Sequence, residues 1–360
     1  MTDKAVSGAQ NLLINCVGLD KGETILLVSE EYGLGYFDDT VPLAIAETAR
    51  HMGATVLTMS TPRANGPDDV PEALGAAMLH VDHTVFMNRI GDQMRFRELP
   101  GHGTKTMIYT LDNVILGSDA ALFPHPFMKE MVGRFNSEMA TRKRWRVTCP
   151  AGTDVSGDMP EVSTVSDKAD SSFSVNLFPI CVHRPVPANS MNGQIVLNRF
   201  VTGTNTHAYS PEVFHLESPI TVTVADGHAV DLQGDPEVVD AFRAHSKMVA
   251  ELFDLDETQI HSWHAGLNPG TIYNGKAVDD PVRWNGMIFG SPRHLHFHTC
   301  GDYPPGEINW HVIDPTVSFD GEEFIRDGEV RMFLSDETAD VRTRFNITKT
   351  QLRTNQSIGL

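Results

Sequence analysis

The chain has 360 residues, enough for about two domains that each bury a core of their own. Hydrophobic residues make up 41% and charged residues 21% of the sequence, which excludes a disordered or collagen-like chain. The formal net charge of −19 has the wrong sign for a surface that binds nucleic acid or an anionic membrane, so we expect neither partner.

The first 150 residues alternate between amphipathic and short apolar segments, which is typical of a parallel sheet covered by helices. Helices are predicted at residues 5–16, 40–52 and 71–79, and strands at 24–28, 54–59, 83–87 and 106–110. We therefore predict a doubly wound α/β domain over residues 1–150. Gly33 and Gly35 follow the first strand, but the third glycine of a dinucleotide-binding motif is missing, so no nucleotide cofactor is expected.

The composition changes near residue 150, where a stretch rich in Gly, Ser and Asp begins, and we place a domain boundary there. Residues 151–360 are predicted to form a β-rich metal-binding domain, with a hairpin at 220–232 and a helix at 236–254. Strands are expected to dominate from about residue 284 to residue 333. The predicted fold class is α/β: an N-terminal doubly wound parallel-sheet domain followed by a β-rich α+β C-terminal domain.

The cysteines and the N-terminal segment predict a cytoplasmic protein. The four cysteines contain no Cys-x-x-Cys pair, which argues against a zinc knuckle or a redox dithiol. The first 23 residues lack the basic start and apolar stretch of a secretory signal. No run of 18 apolar residues that would predict a transmembrane helix occurs in the sequence.

Histidines are concentrated in one part of the sequence. Of the 16 histidines, six lie between residues 261 and 311, and three of them alternate in the segment His294-Leu-His-Phe-His298. If this segment is a strand, its three imidazoles share one face. A buried face would have to satisfy all three rings, so we interpret the pattern as a metal site. A hydrogen-bonded polar strand beside a subunit interface would have the same spacing.

Four segments, in order along the chain, resemble the aminopeptidase T (leucyl aminopeptidase-type) metallopeptidase superfamily. They are the first helix with its following strand Thr24–Val28, His51-Met-Gly-Ala-Thr-Val56, His264-Ala-Gly-Leu-Asn-Pro-Gly270 and Pro315-Thr-Val-Ser-Phe-Asp-Gly321. This superfamily also contains the 2,5-dihydroxypyridine 5,6-dioxygenases, mononuclear non-haem iron enzymes that open a hydroxylated pyridine ring.

Departures from the peptidase pattern favour the dioxygenase branch. Where the peptidases place a metal-binding Glu, this chain has His264, as the dioxygenases do, and where they have Gly-Glu it has Gly193-Gln194. A dinuclear hydrolytic site needs bridging carboxylates, whereas a histidine-rich set with one carboxylate suits a single Fe(II). The resemblance therefore implies an Fe(II)-dependent extradiol-type dioxygenase that cleaves a hydroxylated N-heteroaromatic ring. Its partners would be a small aromatic substrate, O₂ and further copies of this chain.

The resemblance also implies site residues. The expected metal ligands are His264, His296, His298, His311 and Asp314. His296 is preferred to His298, Thr299 or Cys300 as the ligand from its strand, and Glu307 and Asp302 are the alternatives to Asp314. The expected catalytic residues are His102, as an acid or base on a Gly-flanked loop, and His183, in contact with substrate.

Two other functions remain open. A metal-dependent hydrolase of the same superfamily, either an aminopeptidase or an amidohydrolase, would use a metal-bound water and would need no O₂. A binding protein that has kept the fold and lost the metal would contain no metal after purification.

Overall fold

The computed structural model describes residues 2–63, 70–95, 97–160, 174–204 and 207–360, and the strands in these ranges form three sheets. The first sheet is parallel. In spatial order it contains β2 (Thr55–Thr61), β1 (Thr24–Glu30), β3 (His83–Met87), β4 (Thr104–Ile108) and β7 (Asn176–Phe178). This order is that of a doubly wound domain, whose ligands bind at the carboxyl ends of the strands.

Short helices connect these strands. They are α1 (Asp3–Gln10), which continues as a π-helix over Asn11–Val17, α2 (Thr40–His51), α3 (Glu72–Met78), α4 (Arg89–Met94), α5 (Asn113–Leu116) and α6 (Asp119–Leu122). The helices and strands predicted for the first half of the chain are thus confirmed, with bounds that shift by a few residues. Among the described helices, none has the length and apolarity needed to cross a bilayer.

The other two sheets are antiparallel. The six-stranded one, which we call the histidine sheet, runs in the order β11 (Val213–His215), β10 (Phe200–Gly203), β16 (Glu307–Ile313), β15 (His294–Cys300), β14 (Ile260–Ala265) and β8 (Val186–Pro187). The eight-stranded one runs in the order β13 (His228–Gln233), β12 (Ile220–Ala225), β9 (Asn192–Leu197), β6 (Asp154–Asp158), β5 (Arg144–Thr148), β17 (Thr316–Phe319), β18 (Glu322–Arg326) and β19 (Glu329–Val330).

The apolar faces of the two antiparallel sheets pack against each other. Trp263 and Phe297 of the histidine sheet are fully buried in this core, and Trp145 of the eight-stranded sheet meets Trp263 edge-on with ring centroids 5.1 Å apart. One face of the histidine sheet is therefore apolar. Its other face is free to carry polar side chains.

The remaining helices are α7 (His125–Ala140), α8 (Pro236–Phe253), α9 (Pro281–Ile288), α10 (Arg331–Leu334) and α11 (Ala339–Arg344), with a 3₁₀ segment at Asp336–Thr338. The expectation that strands dominate from residue 284 is wrong at α9. Asp280 caps this helix by accepting a hydrogen bond from the Arg283 amide at 2.9 Å, and Pro281 occupies its first turn.

Elements cross the domain boundary predicted near residue 150 in both directions. β5 precedes it but pairs with β6 and β17 in the eight-stranded sheet. β7 follows it but pairs with β4 in the parallel sheet. The predicted fold class, a doubly wound parallel sheet followed by a β-rich part, is confirmed, whereas the division at residue 150 stays a prediction.

Candidate metal centre

Three neighbouring strands of the histidine sheet place histidines in one row. In the register of the ladder, His264 of β14 lies opposite His296 of β15, and His296 lies opposite His311 of β16. His294 and His298 stand two residues either side of His296, on the same face. The alternation predicted from the sequence thus produces a polar face, which we call the histidine face, on the side away from the apolar core.

Three of these histidines converge on one point. Nε2 of His296 lies 3.0 Å from Nε2 of His264 and 3.1 Å from Nε2 of His298. The ligand atoms of all three residues lie within 4.8 Å of one another, and no other such group occurs in the described ranges. Nitrogen ligands about 2.1 Å from a metal and at right angles to one another would lie about 3.0 Å apart. The spacing of this triad therefore fits adjacent positions around one metal ion.

The protonation of His264 and His296 also fits a cation. Burial, reinforced by the neighbouring histidines, lowers the pKa of His264 and of His296 well below the ordinary value, so both rings are neutral at neutral pH. A neutral imidazole carries one N–H, so Nε2 of His296 cannot donate to both of its neighbours. A cation between the three nitrogens would accept a lone pair from each, which makes the triad a suitable donor set for a divalent metal.

Carboxylates lie on the outer side of the triad, next to His298. Nδ1 of His298 is 3.3 Å from the backbone oxygen of Asp302, 3.7 Å from Oε1 of Glu307 and 3.9 Å from Oδ1 of Asp302. Glu307 is buried, and its burial raises the pKa of the carboxyl while His298 opposes the rise. A metal-binding histidine commonly donates its second N–H to such a partner, which fixes the ring and strengthens the ligand.

His311 does not join the triad, contrary to the expectation that it is a ligand. Its Nδ1 lies 2.9 Å from Nε2 of His294, and its Nε2 lies 3.1 Å from Oγ1 of Thr202. Both ring nitrogens of His311 are therefore occupied. His294 in turn stacks on His296, with ring centroids 5.3 Å apart and planes 22° apart, so this pair supports the triad from one side.

Asp314, the expected carboxylate ligand, also lies outside the triad. Its carboxylate forms a two-point ion pair with Arg293, with a 2.8 Å contact between Oδ2 and Nη2. The alternatives from β15 are outside the triad as well: the Thr299 hydroxyl donates to the Ile308 carbonyl at 2.8 Å, and Cys300 is a buried thiol whose pKa burial raises to about 11.

His183 is buried against the triad but has no free ring nitrogen. Its Nδ1 lies 2.7 Å from the Arg184 carbonyl oxygen, and its Nε2 accepts a hydrogen bond from the Ala265 amide at 2.9 Å. Burial lowers the pKa of His183 to about 4. Because both ring nitrogens are hydrogen-bonded to backbone groups, the structure does not support proton transfer by His183. It anchors the chain directly after His264.

His102 lies at the opposite edge of the parallel sheet. It is exposed on the loop that enters β4, at the amino end of the strand, whereas the crevice of such a sheet is at the carboxyl ends. The five residues of β4 separate the two edges by about 16 Å. The expectation that His102 acts on substrate at this site is therefore not supported by its position.

The crevice edge carries a buried polar cluster that the sequence analysis missed. Nη1 of Arg95 donates to the Tyr109 hydroxyl at 2.9 Å and lies 3.1 Å from Asp92, and the Tyr109 hydroxyl donates to Asp92. The positive charge of Arg95 contributes to the lowered pKa of His264, after burial and the neighbouring histidines. The signal available in the sequence was that Asp92 and Arg95 lie within and just after α4, the helix that follows the apolar strand β3.

Comparisons with known proteins find a family model and solved structures that are similar to this chain. The family model for 2,5-dihydroxypyridine 5,6-dioxygenase (NicX) matches residues 9–287. The structure of 2,5-dihydroxypyridine dioxygenase from Pseudomonas putida KT2440 has a TM-score of 0.60 and 14% identity, covering 92% of this chain and 98% of that one. Wild-type AmpT from Thermus thermophilus has a TM-score of 0.50 and 12% identity, covering 90% and 98%. No curated protein sequence matches this chain.

Proposed function

The chain belongs to the 2,5-dihydroxypyridine 5,6-dioxygenase family, and we propose on this premise that it is an Fe(II)-dependent, extradiol-type dioxygenase that cleaves a hydroxylated N-heteroaromatic ring. The family indicates an oxidoreductase whose partners are a small aromatic substrate and O₂. 2,5-Dihydroxypyridine is the first substrate to test. The homo-oligomer and the cytoplasmic location stay predictions.

The observation that carries the proposal is the convergence of three imidazoles on one point. His264, His296 and His298 would hold the metal through their Nε2 atoms. When bound, Fe(II) supplies a centre at which an electron-rich ring and O₂ can react. Because imidazole ligands bring no negative charge to a metal ion, the site favours an additional anionic donor, such as a deprotonated ring hydroxyl.

The surrounding residues would orient the ligands and exclude water. The Asp302 carbonyl is the hydrogen-bond partner of Nδ1 of His298, Glu307 lies 3.7 Å from the same nitrogen, and the His311–His294 pair supports His296. Trp284 of α9 packs edge-on against both rings of that pair, with centroid separations of 5.4 and 5.5 Å. This shell keeps the imidazoles in fixed rotamers before substrate binds.

The hydrolase alternative is weakened by the composition of the site. The likeness to AmpT supports a shared fold and, at 12% identity, no more. A two-metal hydrolytic site needs carboxylates that bridge the cations, and within the described ranges the group able to hold a metal contains histidines alone.

Oxygen consumption tests the proposed reaction. Protein reconstituted with Fe(II) under argon is placed in an oxygen electrode, and 2,5-dihydroxypyridine is added. We expect substrate-dependent O₂ uptake with stoichiometric loss of the substrate absorbance, and no uptake with the His296→Ala variant. Substrate turnover under argon would contradict the proposal and favour a hydrolase. An absence of uptake and of turnover with 2,5-dihydroxypyridine would remove this substrate from the proposal.

A further inference from the structure

Asn309 is a buried amide on the histidine face that the site described above does not use. It lies on β16, opposite His298 of β15 and opposite Thr202 of β10. Its side chain is 2% exposed. Directly opposed residues of neighbouring antiparallel strands have Cβ atoms within about 5.5 Å of each other, so the Asn309 amide stands beside the triad.

One end of this amide is held and the other has no partner. Nδ2 of Asn309 donates to the Thr204 hydroxyl at 3.0 Å, and Oδ1 is buried without a hydrogen bond. The Thr204 hydroxyl also bonds the Glu307 carboxyl, which ties the amide to the outer side of His298. Since Thr204 fixes Nδ2, Oδ1 is directed away from Thr204. Buried acceptors in folded proteins normally have a partner, so this oxygen indicates a missing donor.

The length of the Asn309 side chain argues against metal binding by its amide oxygen. The amide oxygen is two bonds from Cβ, whereas Nε2 of an imidazole is three bonds from Cβ. Asn309 and His298 rise from the same sheet, so the oxygen lies nearer the sheet than the point where the Nε2 atoms converge. Its position suits contact with a molecule bound beside the metal ion.

We propose that Oδ1 of Asn309 accepts a hydrogen bond from the aromatic substrate and selects rings that carry a donor away from the metal-bound hydroxyl. In 2,5-dihydroxypyridine the donor is the 2-hydroxyl group, or the ring N–H of the pyridone tautomer. A ring without it would leave the oxygen unpaired and buried, and a site built around a hydrogen bond rejects such analogues strongly. The inference rests on the proposed function, because it takes the triad as the metal site.

Binding selectivity tests the inference without turnover. Protein loaded with Fe(II) under argon is titrated calorimetrically with 2,5-dihydroxypyridine and with 3-hydroxypyridine, which lacks the donor. We expect the wild-type protein to prefer 2,5-dihydroxypyridine by at least about tenfold. Asn309→Leu removes the acceptor at similar volume and should reduce this preference by about tenfold or more, whereas Asn309→Asp keeps an acceptor and should retain most of it.

The outcomes distinguish a failure of the role of Asn309 from a failure of the proposed function. An unchanged preference in Asn309→Leu, including an equal loss of affinity for both rings, would overturn the role of Asn309 and leave the proposed function intact. Failure of the wild-type protein to bind 2,5-dihydroxypyridine would overturn both. If Asn309→Leu does not fold, Thr204→Val takes its place. Thr204→Val removes the hydrogen bond that fixes the Asn309 amide, so the preference for 2,5-dihydroxypyridine should fall severalfold. An unchanged preference would again overturn the role of Asn309.

Discussion

Acid should destabilise this protein in part through His183, the histidine that anchors the chain after His264. The unfolded imidazole has a pKa near 6.5, and burial lowers the pKa of folded His183 to about 4. Between these values the unfolded chain binds a proton that the folded protein does not, so stability falls as the pH falls below 6.5. The loss from this one residue is about 2 kcal/mol at pH 5, and it is close to zero above pH 7.

His183→Phe removes the titrating group but keeps a ring that can stack on Phe135, which lies 5.4 Å away with planes 18° apart. The variant loses the two backbone hydrogen bonds of His183, so its free energy of unfolding at pH 7 should fall by about 2 kcal/mol. Between pH 7 and pH 5, however, the variant should lose about 2 kcal/mol less than the wild-type protein.

Urea unfolding followed by tryptophan fluorescence at pH 8, 7, 6 and 5, with a chelator present to exclude metal, measures both changes. Between pH 8 and pH 7 the two proteins should respond alike, which serves as an internal control. Equal losses of stability between pH 7 and pH 5 in both proteins would contradict the lowered pKa of folded His183, because the residue would then titrate alike in the folded and unfolded states.

Two further predictions concern the residues around the triad. Glu307→Gln replaces the carboxyl group 3.7 Å from Nδ1 of His298 by an amide and should weaken metal binding by about tenfold in a chelator competition titration, whereas the matched change Asp314→Asn should not. His311→Leu leaves His294 without its hydrogen bond and should weaken metal binding by about tenfold, and His311→Gln should weaken it less. Equal affinities within either pair of variants would contradict the corresponding prediction.

The histidine face could be predicted because it depends on local geometry. A strand has a period of two, so the alternation of His294, His296 and His298 fixed their common face without any knowledge of neighbouring strands. That His264 completes the triad depends on the register between β14 and β15, which pairs residues 32 positions apart. Local pattern contains no information on that pairing.

Two expected site residues, Asp314 and His102, lie away from the triad for physical reasons that the sequence partly contained. Asp314 differs in parity from His311 along the same segment, whereas Glu307 shares it, so the strand period already favoured Glu307. The partner of Asp314, Arg293, lies 21 positions away and could not be identified locally. His102 lies on the loop that enters β4, at the amino end of the strand, whereas the crevice of a parallel sheet lies at the carboxyl ends.

Metal titration of the triad variants tests most directly whether His264, His296 and His298 bind one metal ion. Protein stripped with a chelator is titrated with Fe(II) under argon, in the wild-type form and as His264→Ala, His296→Ala and, as a control far from the triad, His102→Ala. We expect one tightly bound metal ion per chain in the wild-type and His102→Ala proteins and a loss of affinity of at least about 100-fold in the other two. Wild-type affinity in His264→Ala or His296→Ala, or two metal ions per chain, would contradict this assignment.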